Sequence, residues 1–165
     1  LKRLLINMTI NIDKFNTLFN EFIDKIINKY PDASLSEYKK AFTLLKIASP
    51  STPASLFMAG CIDYKDEIKH RNEAFFINSE TIKDKINSFS IEIGINKYWN
   101  ELTDTTKTAI WDYIQSLFLL GELIIKQNPS EFNKIRNSSV QDYKEEISNL
   151  HKQNFSTDFL TKLNS

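Results

Sequence analysis

Thr105-Thr106-Lys107-Thr108-Ala109-Ile110-Trp111-Asp112-Tyr113-Ile114-Gln115-Ser116-Leu117-Phe118-Leu119-Leu120-Gly121-Glu122-Leu123-Ile124-Ile125 is the stretch whose reading decides the fold. At about 100° per residue, Ile110, Trp111, Ile114, Leu117, Phe118, Gly121, Ile124 and Ile125 share one broad helical face. Leu119, Leu120 and Leu123 lie on the other side, so the helix is apolar nearly all round. A helix of that kind is normally surrounded by others. The spacing therefore predicts a central core helix over Thr105–Ile125, capped by Thr103 or Asp104. Gly121 inside a helix costs about 1 kcal/mol at an exposed site, which predicts a close crossing with another helix at that point.

Upstream, Ile12, Phe15, Leu18, Phe19, Phe22, Ile23, Ile26, Ile27 and Tyr30 recur at helical spacing, with Asn20, Glu21, Asp24 and Lys25 opposite. Asn11 or Asp13 is the expected cap and Pro31 the terminator. The Phe stripe reads as a core face. Ser34 and Glu37 have the spacing of a capping box and open a helix through Leu35, Tyr38, Phe42 and Leu45. Pro50 and Pro53 break the chain, and Pro53-Ala54-Ser55 suits a new helical start leading through Leu56, Phe57, Cys61 and Ile62. The charged run Asp66–Glu73 and the brief apolar Ala74–Ile77 predict a helix end and then an anchored loop whose Phe75 and Phe76 plug the core. A short helix is expected from Ser79 to about Phe89, and Ile91, Ile93 and Ile95 read as an extended linker. Downstream, Asn128-Pro129-Ser130 reads as a turn and Ser130–Ser139 as a mobile connection. Two weaker helices are expected over Gln141–Lys152 and Thr157–Leu163, anchored by Phe155, Phe159 and Leu160.

The chain has 165 residues, 41% of them hydrophobic and 25% charged, which suits one soluble domain with a real core. Its 3 Gly and 4 Pro are too few for the many tight turns of a sheet protein and favour long helices. The expected architecture is a single compact all-α domain of about six helices around the Thr105–Ile125 helix. Residues 1–8 read as an N-terminal extension, with Met8 as a natural start. Residues 9–165 form the domain, with 126–165 as a peripheral helical tail. The longest apolar stretch, Ala109–Ile125, contains Asp112, Gln115 and Glu122 and falls short of the roughly 20 apolar residues of a membrane span.

Lys+Arg and Asp+Glu balance at 21 each. Nucleic-acid affinity is driven by phosphate neutralisation and counterion release, so strong autonomous nucleic-acid binding is not expected. Cys61 is the single cysteine, which excludes an internal disulfide and fits a reducing compartment. It follows Met58-Ala59-Gly60 on an apolar face, where a free cysteine acts as a small core residue. His70 and His151 sit in no Cys/His cluster with metal-ligand spacing. Gly60, Gly94 and Gly121 are isolated and form no phosphate loop. The carboxylate pairs Glu21 with Asp24, Asp66 with Glu67, and Glu145 with Glu146 read as solvated surface, because acid–base catalysis needs two carboxylates in different environments facing one cleft. No catalytic, cofactor-binding or metal-binding residue is therefore expected, and no small-molecule substrate. The polar run Arg71-Asn72-Glu73, beside Phe75 and Phe76, either caps a helix end, forms a buried ion pair or presents a binding surface. With Trp99 and Trp111 these are the candidate interaction or core-motif residues.

Tyr98-Trp99-Asn100-Glu101-Leu102 followed by Thr106 to Phe118 resembles a helical protein family of nucleocytoplasmic large DNA viruses, the giant, mimivirus-like group. Asp66-Glu67-Ile68-Lys69-His70-Arg71-Asn72-Glu73-Ala74-Phe75-Phe76 is similar to a second, polar block of that family. The resemblance covers residues 9 to 125, with specific motifs in these two blocks alone. Tyr98 replaces the family's usual Leu, and Gly121-Glu122 interrupts a run that is often purely apolar. The resemblance implies a helical fold and a place in an infection cycle, in the host cytoplasm, the virus factory or the virion. It brings no catalytic residues.

The sequence thus leads to a non-enzymatic viral interaction or structural protein: a virion component, factory scaffold or host-factor adaptor. The alternative is a nucleic-acid-associated accessory factor acting within a larger viral complex. A protein partner or self-association is expected through a helical surface near one end of the chain. The motive is an excess of apolar side chains, among them Leu119, Leu120, Leu123, Phe155 and Phe159, over what one core hides.

Overall fold

Five apolar positions on the first helix, Phe15, Phe19, Phe22, Ile23 and Ile26, are all buried, and they set the first layer of an all-α domain. The computed structural model describes residues 1–31, 33–73 and 98–137. Among these, helix α1 spans Lys2–Lys29, α2 Ala33–Ala48, α3 Thr52–Cys61 and α4 Lys65–Lys69, with a 3₁₀ turn at Ile62–Tyr64. A second 3₁₀ turn at Trp99–Glu101 leads into α5, Asp104–Gln127, and then α6, Pro129–Asn137. No strand occurs among the described residues.

α5 is the centre. Its buried residues are Ile110, Trp111, Ile114, Leu117, Phe118, Gly121, Ile124 and Ile125, the face predicted from the spacing. Thr103 is its N-cap, accepting a hydrogen bond from the Thr106 N–H at 3.2 Å, which satisfies one of the donors that a helix start leaves open. α1 runs antiparallel to it. Lys29 Nζ donates to Thr106 Oγ1 at 2.7 Å near one end, and the rings of Phe22 and Tyr113 stack 5.0 Å apart further along. α3 crosses α5 at Gly121, where an added Cβ would stand 2.4 Å from Met58 Sδ. Glycine at 121 leaves the space that the Met58 side chain fills. Phe19, Phe42 and Phe57 close the core between α1, α2 and α3, with Phe19 4.6 Å from Phe42 and 6.3 Å from Phe57. Each such aromatic contributes on the order of 1.5–3 kcal/mol by leaving water.

The structure revises several sequence expectations. α1 begins at Lys2, so Asn11 and Asp13 lie inside the helix and cap nothing. No Gly or Pro interrupts residues 2–30, and nothing stops the helix propagating through the first turns. α2 begins at Ala33, one residue before Ser34. Ser130–Ser139 is not a mobile connection as far as Asn137. Pro129 suits a first helical position, Glu131 occupies the first turn, Lys134 and Arg136 the last, and Phe132 and Ile135 are buried. α6 packs on α3 and α5. The central helix is also not enclosed all round, since Leu119 and Leu123 are 63% and 48% exposed. The expected helices at 79–89, 141–152 and 157–163 and the linker at 91–95 lie outside the described residues.

Candidate interaction surface

The polar run ahead of the second 3₁₀ turn resolves into a helix stop. Asn72 N–H donates to Glu67 O at 2.8 Å and Arg71 N–H to Ile68 O at 3.3 Å, the pair of bonds of a Schellman motif. Arg71 occupies its left-handed position with φ 51°, where glycine is usual. A side chain there costs roughly 1–2 kcal/mol. The Arg71 side chain explains its retention. Its Nε and Nη2 donate to Gln115 Oε1 at 3.1 and 2.8 Å, and Nη2 also pairs with Asp112. Gln115 Nε2 in turn donates to Ile68 O at 3.0 Å and Lys69 O at 3.3 Å, closing the last carbonyls of α4 from the flank of α5. Asp112 and Gln115 are three residues apart and share a face, a polar notch in an otherwise apolar helix. That notch is the sequence signal for their role.

Glu73 reaches the same helix one turn earlier. Its Oε1 lies 3.2 Å from Lys107 Nζ, which stands 5.3 Å from the ring centre of Trp99. Trp99 is fully buried and meets Trp111 edge to face, with ring centres 5.9 Å apart. The structure therefore gathers Arg71, Glu73, Trp99 and Trp111 around the first half of α5. Asn72 joins them through its backbone alone among the bonds described above. Phe75 and Phe76 lie outside the described residues. The assembly is a brace: each charged head has a partner, and the two tryptophans fill the space beneath.

Titratable groups elsewhere are bound into the scaffold. Burial pushes the Cys61 thiol up, away from the thiolate a nucleophile needs. The Tyr113 hydroxyl and Lys25 hold the exposed Glu21 carboxyl below its usual range. Asp66 is exposed and Glu67 half-buried on the short α4, and no group of three His, Cys, Asp or Glu suited to a metal forms among the described residues. Glu145 and Glu146 are outside them. Asn16, buried on α1, donates to Pro50 O at 2.9 Å, and Ser51 Oγ donates to Glu131 Oε2 at 2.7 Å. These two bonds tie the α2–α3 turn to α1 and α6.

Further along the same stripe of α5, beyond Asp112 and Gln115, the outer face is different in character. Leu119 and Leu123 point outward from α5. Beside them an open groove of about 490 Å³ is lined by Leu120 of α5 and by Ile10, Asp13, Lys14, Thr17, Leu18 and Glu21 of α1. Ile10 is 43% exposed. α5 has the length and hydropathy of a bilayer-crossing helix, yet its inward face is filled by α1, α3, α4 and α6. Leu119 and Leu123 interrupt the rule that outward helical positions are polar. No protein-family model, curated protein or solved structure matches the chain.

Proposed function

We propose that this chain is a non-enzymatic interaction or structural protein of a large DNA virus: a virion component, factory scaffold or host-factor adaptor, working in the host cytoplasm, the virus factory or the particle. One observation carries the reading. The central helix turns Leu119 and Leu123 to solvent beside a groove with an apolar floor, and contiguous apolar surface of this kind marks contact sites. The polar cluster around Arg71 supports it, because its members are engaged with one another. The viral origin rests on the two sequence blocks alone.

The alternative of a nucleic-acid accessory factor would be favoured by a basic face. On the described surface cations and anions alternate instead, as in Lys25–Glu21, Lys39–Asp24, Lys65–Glu122, Lys107–Glu73 and Arg136–Asp63. The test is affinity capture from infected cells with the full chain as bait, followed by quantitative mass spectrometry. A reproducible set of viral or host proteins at near-stoichiometric levels is expected. Recovery of the bait with nothing above background would overturn the reading.

A further inference from the structure

We draw no further inference here: the strongest candidate, the exposed apolar patch of Leu1, Leu4 and Leu5 on the first turns of α1, which continues the buried Phe15, Phe19 and Phe22 face of that helix into solvent, carries nothing because nothing in the structure shows what covers it.

Discussion

Gly121 of α5 and Met58 of α3 occupy one another's space: a Cβ on the glycine would lie 2.4 Å from the sulfur and 2.7 Å from Met58 Cγ. Met58 is fully buried, so its side chain must shift within the core to admit a methyl group. Gly121→Ala gains helix propensity of about 1 kcal/mol but overpacks the crossing, at about 1–3 kcal/mol. The variant is expected to lose up to about 2 kcal/mol in urea unfolding. Met58→Ala alone leaves a cavity and costs about 2–5 kcal/mol. Combined, the two are expected to cost less than their sum by at least about 1 kcal/mol, because the new methyl enters space the methionine vacates. Strict additivity would mean that the two residues do not collide.

Arg71 gives a second measurement. Arg71→Ala keeps the left-handed strain and discards the bonds to Gln115 and Asp112. Arg71→Gly discards the same bonds and relieves the strain. The glycine variant is therefore expected to be the more stable of the two by about 1 kcal/mol, read as a difference in urea midpoint. Equal midpoints would remove the claim that the guanidinium holds an unfavourable backbone in place.

The Glu21 carboxyl is held below its ordinary value of 4.5, first by the Tyr113 hydroxyl, which donates at 2.9 Å, and then by Lys25. A carboxylate with a lowered folded pKa adds stability above its unfolded pKa and loses it as pH falls through the folded value. Tyr113→Phe is thus expected to lower Tm at pH 6–7 and to match the wild type near pH 3. The check is a pair of melting curves across that range. A deficit that persists unchanged at pH 3 would trace to packing against Phe22 and not to the carboxylate.

Cys61 is 2% exposed and its thiol is pushed up by burial. In the native protein at pH 8 it is expected to resist a disulfide-exchange reagent for hours, and to react within minutes in denaturant. Labelling tracks the opened population when opening is fast. Prompt native labelling would place the residue at the surface.

The sequence carried the positions that repeat. The buried face of α5 and the Phe stripe of α1 follow from spacing, because a helix that must hide apolar surface has one period in which to do it. Gly121 was legible as a crossing because its propensity cost needs a compensating contact. The Arg71 cluster was legible as a group and not as an arrangement: the fifth-neighbour bond from Asn72 to Glu67 and the reach to Gln115 depend on two helices meeting. α6 was missed because two apolar residues, Phe132 and Ile135, make too short a pattern, though Pro129, Glu131 and Arg136 stand where helix ends favour them. Leu119 and Leu123 were legible as part of an apolar excess; that these two and not Leu120 would stay exposed was not, since hydrophobic composition does not say which faces find neighbours.

Lys107 holds Glu73 through its carboxylate and Trp99 through its ring. Glu73 and Trp99 come from different parts of the sequence and meet at one side chain of α5. A single change there, Lys107→Met, would therefore release both contacts at once and show how much of the hold on the first turns of α5 the two share.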